Sequence, residues 1–241
     1  PPPAPLFFAG TLLATSRRVT LHLKALLLDI DGTLIDSNDK HAHAWVEAFA
    51  HFHKEVPFDT IRMQIGKGGD LLVPDMLSAR EMREFGEKLS KYRGELWKRE
   101  YMKTVQPFPG VVDAIRAIAD RGVKVAFASS SNPNEVEYYV ELLGVGDLLE
   151  GTTSKGDAEV SKPSPQIFEA ALERVKSDPA QTLVVGDTPY DILAAHRIPV
   201  AIAAVRCGGF PEESLLKAEY IFDDMTHLVK ELDRVDEYFR Q

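Results

Sequence analysis

KALLLDIDGTLID, residues 24–36, carries an apolar run from Ala25 to Leu28 straight into two carboxylates, Asp29 and Asp31, and then turns at Gly32. A run this apolar suits a parallel strand covered on both faces, and ligands of such sheets gather outside the carboxyl ends of the strands. Carboxylates at a buried strand end cost roughly several kcal/mol unless a cation or hydrogen-bond donors satisfy them. A divalent metal ion would do so, and the strand aims both acids at one place.

Working outward, residues 38–54 set Ala42, Trp45, Val46 and Phe49 at the one-face spacing of an amphipathic helix. Residues 58–65, 70–77 and 80–104 also read as helical, interrupted by the GKGG turn at 66–69 and closed by PFPG at 107–110. A helical stretch over 37–106 is too long for a simple crossover and suits an inserted helical cap. From Val111 the rhythm changes to alternating helix and strand, the pattern of a parallel sheet. Helices are expected over 111–120, 133–143 with Asn132 as its cap, 164–176, 190–196 and 225–232; strands over 123–128, 150–153, 182–185, 200–205 and 220–222. The chain is therefore expected to be α/β, a Rossmann-like parallel sheet with helices on both faces. That core would comprise 21–36 and 107–241, with the all-helical cap at 37–106 and a mobile leader at 1–20.

With 44% hydrophobic and 27% charged residues, the 241-residue chain has the composition of an ordinary soluble globular protein. Its net charge of -9 disfavours nucleic acid or an anionic membrane as partner, since both need concentrated Lys and Arg, so any phosphate site must be locally basic. The single cysteine, Cys207, allows no internal disulfide and fits a reducing compartment. In the leader, the apolar run 6–14 is too short to span a bilayer, and Arg17 and Arg18 follow it rather than precede it, which makes a poor signal peptide. A cytoplasmic monomer or homodimer is expected.

The DIDGT pattern followed by LID resembles the signature of the haloacid dehalogenase superfamily, most of whose members are phosphatases. Three further stretches stand, in order, where that superfamily carries the rest of its site. These are Ser129 in FASSSN at a strand end, Lys162 in SKPSP before a helix, and Asp187 with Asp191 in GDTPYD at another strand end. The resemblance spans residues 24 to about 230. It implies a phosphoryl transfer with Asp29 as nucleophile and Asp31 as general acid and base. It also implies a magnesium ion on the Asp29 carboxylate, the Asp31 backbone carbonyl and the Asp187 carboxylate, with Asp191 supporting through water. Lys162 would hold a phosphoryl oxygen and Asp29; the Ser129 hydroxyl and the Ser130 amide would bind the other oxygens, with Asn132 on the substrate side. Dehalogenase members lack the second acid and phosphonatase members carry alanine there, so DIDGT favours phosphate esters.

The resemblance implies a phosphatase of a small phosphorylated metabolite, similar to phosphoglycolate phosphatases. A phosphomutase of the beta-phosphoglucomutase type is the alternative. GDTPYD favours the former, because the mutases carry an acid in place of Gly186, whereas DSNDKHAHAW at the start of the insert resembles the mutases and sets His41 near the site. In IGKGGD, glycines flank Lys67 and free the backbone to approach a ligand, so Lys67 could meet a substrate carboxylate or second phosphate; the same turn reads equally as an interhelix connection with an exposed lysine. His43 and His51 fall on the polar side of their helix beside Glu47, which argues for a solvated face rather than a metal site.

Overall fold

The run after Lys24 is β1 (Ala25–Leu28), completely buried at the centre of a six-stranded sheet in the computed structural model, which describes residues 21–240. The leader expected over 1–20 lies outside the described residues. After β1 the chain forms β2 (Ile35–Asp36), which pairs antiparallel with β3 (Gln106–Pro107). Two-residue strands have no periodicity to announce them, so this ribbon is not legible in the sequence.

Between β2 and β3 lie α1 (Asn38–His51), α2 (Phe58–Arg62), α3 (Gly69–Met76), α4 (Ala79–Glu81) and α5 (Glu87–Leu96). Ala42, Trp45 and Phe49 of α1 meet Ile61, Leu72, Val73 and Leu89 in an apolar cluster of their own. Residues 80–104 do not form the one helix expected: π-helical turns at Met82–Gly86 and Trp97–Tyr101 interrupt it, and a short 3-10 turn at Met102–Thr104 ends it. Leu89 faces the cluster of the helical segment, while Leu96 and Trp97 reach the core against the sheet.

The remaining strands are β4 (Lys124–Ala128), β5 (Leu149–Thr153), β6 (Thr182–Gly186), β7 (Ala201–Val205) and β8 (Tyr220–Phe222). Their order is β5, β4, β1, β6, β7, β8, and every pairing is parallel. The helices are α6 (Val111–Asp120), α7 (Pro133–Leu143), α8 (Gln166–Val175), α9 (Pro189–Ala195), α10 (Glu212–Leu215), α11 (Met225–Lys230) and α12 (Leu232–Tyr238). Alternate strand residues separate the two layers. Leu26, Leu28, Phe127 and Val185 pack with α6, α7, α11 and α12, while Ala25, Leu27, Ala128 and Val184 pack with α8, α9 and α10. No helix among the described residues is long and apolar enough to cross a membrane.

The helix expected to end the chain at 232 is two helices, broken at Glu231, because Leu232 and Val235 extend the same buried layer. Asp236 of α12 is fully buried and accepts the backbone N–H groups of His22 at 2.5 Å and Leu23 at 2.8 Å, which ties the entry to β1 to the end of the chain. Asp236→Ala leaves both donors without a partner and should lower stability by about 1–3 kcal/mol. Denaturant titration checks this; a midpoint equal to that of the parent chain would show the tie to be unimportant.

Candidate active site

The chain adds β4 and β5 on one side of β1 and then returns to add β6, β7 and β8 on the other, so the loops leaving β1, β4 and β6 diverge around a crevice at their carboxyl ends. Asp29 follows β1, Ser129 to Asn132 follow β4, Lys162 lies on the loop after β5, and Asp187 and Asp191 follow β6. Lys162, buried with 2% of its surface exposed, donates to Asp29 Oδ1 and, at 2.8 Å, to Asp191 Oδ1. The other oxygen of Asp191 accepts from the Thr188 backbone N–H at 3.1 Å and hydroxyl at 2.6 Å, so the capping box of α9 also fixes a carboxylate of the site. Asp187 accepts from Asn38 Nδ2 at 2.7 Å and from the Thr33 hydroxyl at 3.3 Å.

Carboxylate oxygens of Asp29, Asp187 and Asp191 lie within 4.8 Å of one another. Burial, reinforced by the Asp191 and Asp31 charges against the pull of Lys162, pushes Asp29 up to about 7. Burial first, then Asp29 and Asp191, raise Asp187 well above the carboxylate range. Burial alone would lower Lys162, yet Asp191 and Asp29 outweigh it and hold the ammonium charged. Three buried carboxylates facing one ammonium form an oxygen donor set short of positive charge, which fits a hard divalent cation.

A linkage follows. A carboxyl raised in the folded state adds stability that is fully present below its unfolded value and lost as pH rises through its folded value, here between 3.8 and about 7 for Asp29. The metal-free protein should therefore lose thermal stability across that window, and the stabilisation conferred by added magnesium should grow across it as the protons leave. Melting curves with and without the ion check this; a magnesium increment independent of pH would refute the linkage.

The second acid points elsewhere. Asp31 accepts from the Ser37 hydroxyl at 2.6 Å, His41 Nε2 at 2.9 Å and the Ser131 hydroxyl at 2.8 Å. Burial would raise it, but His41 and the two hydroxyls outweigh burial and hold it well below the usual carboxylate range. His41 stacks on Trp97 with ring centroids 3.7 Å apart, and its Nδ1 accepts from Arg93. Arginine only donates, so the proton of a neutral His41 is placed on Nε2, toward Asp31. Ser37 sits at the N-cap of α1 yet makes no capping bond, because its hydroxyl serves Asp31.

Ser129 Oγ accepts from the Ser131 N–H at 3.0 Å, which leaves its own proton free to donate, and the buried Ser130 hydroxyl has no partner among the described residues. Asn132 stands at the N-cap of α7, but its side chain does not accept the expected capping bond; its amide donates instead to the Glu135 carboxylate in the first turn at 2.8 Å. A cleft of about 450 Å³ joins Asp29, Asp31, Lys162 and the serine loop to Trp45 and Arg93 of the helical segment. Lys67 lines it, with its ammonium on Gln64 at 2.5 Å and Asp75 at 2.7 Å and lying over the Tyr190 ring. His43 lies against Phe58 and His51 stacks on Tyr92. Thr33, Asn38, Ser131 and Arg93 enter the site without having been expected. Ser131 could have been found beside Ser129, but Arg93 sits in a helix whose sequence carries no such signal.

A family model described as haloacid dehalogenase-like hydrolase matches residues 23–198. The chain belongs to this family. The matched residues include β1, the helical segment and Asp191, so they contain every group of the site, while β7 and β8 beyond them complete the same sheet. This haloacid dehalogenase-like hydrolase is 32% identical to the phosphoglycolate phosphatase of Nitrosospira multiformis, over 73% of this chain and 80% of that protein. It is 26% identical to the pyrophosphatase PpaX of Oceanobacillus iheyensis, over 87% of this chain and 96% of the relative. A hydrolase from Pseudomonas syringae has a similar structure, with a TM-score of 0.81 at 25% identity, over 88% of this chain and 99% of that one.

Proposed function

We propose that this hydrolase is a magnesium-dependent phosphatase of a small phosphorylated metabolite, working through an aspartyl phosphate on Asp29. The observation that carries the reading is the division of the two acids: Asp29 sits among Lys162, Asp187 and Asp191, while Asp31 sits apart among hydroxyls and His41. The Asp29 and Asp187 carboxylates and the Asp31 carbonyl, with Asp191 in support, would hold a magnesium ion, which would supply the charge that lets a carboxylate approach a dianionic phosphate. The phosphatase names of the two curated relatives support the same reaction class.

Asp29 attacks phosphorus in line, while Lys162 and the Ser129 hydroxyl hold phosphoryl oxygens. The P–O bond to the leaving group breaks, and Asp31, having first taken up a proton, passes it to the departing oxygen. Asp31 then removes a proton from the water that attacks phosphorus, which frees phosphate and restores the Asp29 carboxylate. Its cage of donors favours the ionised form, which suits that second step. The segment between β2 and β3 acts as the cap that closes over the leaving group, bringing Trp45, Lys67 and Arg93 to a cleft whose core side carries Asn132. A cytoplasmic setting fits a single unpaired cysteine.

The mutase reading draws on His41, which contacts Asp31 at the start of the helical segment. Against it stands Gly186: a Cβ there would lie 2.5 Å from Asp191 Cγ, so the acidic side chain of the mutases has no room. Phosphate release with magnesium, measured against phosphoglycolate, pyrophosphate, sugar phosphates and nucleoside monophosphates, tests the proposal. Isomerisation of a sugar phosphate without phosphate release would favour the mutase, and release undiminished by excess chelator would overturn the metal role.

A further inference from the structure

Lys162 reaches Asp29 from a loop of irregular backbone, so its aim depends on what holds that loop. Gln166 Oε1 accepts the Glu159 and Val160 N–H groups at 2.9 Å each, and Arg197 donates to the Pro163 carbonyl at 2.6 Å. Both come from the same layer of the core as the loop. The third tie comes from the helical segment. Asp70, in the first turn of α3, accepts the Ser161 hydroxyl at 2.6 Å and the Ser161 N–H at 3.1 Å. Ser161 is buried and immediately precedes Lys162.

The turn before Asp70 is built for this contact. A Cβ on Gly68 would lie 1.9 Å from Ser161 Oγ, and one on Gly66 would lie 2.7 Å from Thr188 Cγ2. Thr188 is the residue whose hydroxyl holds Asp191, the second partner of Lys162. The glycines of IGKGGD, which line the cleft, also let the turn press on two core loops at once. Each of those loops carries a part of the Lys162 network.

We infer that Asp70 is a positioning residue for Lys162, through which docking of the helical segment sets the lysine for phosphoryl transfer. The inference rests on the phosphatase reading. A small rotation about the Ser161–Lys162 peptide is magnified along the lysine side chain, and a displacement of about 1 Å at a reacting group costs about a hundredfold in rate. Substrate reaches the other phosphate-binding groups regardless, so the loss should fall on kcat more than on KM.

The test is steady-state kinetics of the full chain with magnesium, on whichever phosphate ester the parent chain hydrolyses best. Asp70→Ala should lower kcat by about ten- to a hundredfold. Asp70→Asn should stay near the parent, because the amide accepts from the Ser161 N–H and donates to the Ser161 hydroxyl. Ser161→Ala, which keeps the backbone tie, should fall between them, and Asp70→Ala with Ser161→Ala should match Asp70→Ala alone. A role confined to folding would lower the melting temperature and leave kcat of the folded fraction unchanged. Turnover within twofold of the parent in both Asp70→Ala and Ser161→Ala overturns the inference, as do independent, multiplying effects of the two; if Asp70→Ala does not fold, Ser161→Ala decides by itself. A parent chain that hydrolyses no phosphate compound overturns the functional reading and this inference with it, whereas an active parent with an indifferent Asp70 overturns the inference alone.

Discussion

Asp29→Asn should abolish phosphate release, by about 10⁴-fold or more, and leave a folded protein. The amide keeps the shape of the carboxylate and still accepts from Lys162, but it carries no nucleophilic charge and no negative charge toward a cation. Stability should hold, because burial and the Asp191 and Asp31 charges already penalise an ionised Asp29. Single-turnover assays and a melting curve on the same preparation check both halves. Activity within about tenfold of the parent, in protein free of contaminating phosphatase, would sink the nucleophile assignment.

Lys162→Met should damage both stability and turnover, and the two losses should respond differently to magnesium. Methionine fills much of the buried space but leaves Asp29 and Asp191 facing each other without the ammonium that now bridges them. Removing one partner of a buried ion pair costs about 3–5 kcal/mol, which for a chain of this size is a fall in melting temperature of about 6–20 °C. Magnesium should restore part of that fall by neutralising the same carboxylates. It should not restore turnover, because the proposed mechanism also sets the lost ammonium on a phosphoryl oxygen. A variant that melts like the parent without metal would show that Lys162 does not offset the carboxylates. One rescued in both respects by magnesium would show that it acts on charge alone.

What the linear order of residues determined is what local physics can decide. The strand β1 is apolar at successive positions because both its faces are covered, and an acid that follows such a strand stands at the carboxyl end of the sheet, where sites form. Ser129, Lys162, Asp187 and Asp191 were legible only through their resemblance, in order, to the superfamily's motifs, with strand ends and a following helix as their context. Boundaries moved by up to three residues, and the short ribbon of β2 and β3 and the break before α12 went unseen, because neither leaves a periodic pattern.

Only the tertiary structure decided what each carboxylate faces. Arg93 meets His41 across 52 residues of chain, and Asp70 meets Ser161 across 91, so no spacing in the sequence could announce either contact. Lys67, in a turn that read equally as a ligand contact or a plain connection, lines the cleft with its ammonium paired to Asp75, and a Cβ on Gly66 or Gly68 would strike core loops. A buried charge is settled by whichever donors the packed helices bring within about 3 Å. Sequence can therefore say where an acid must stand, but the packing of distant elements says whether it waits as a nucleophile, holds a proton or anchors a loop.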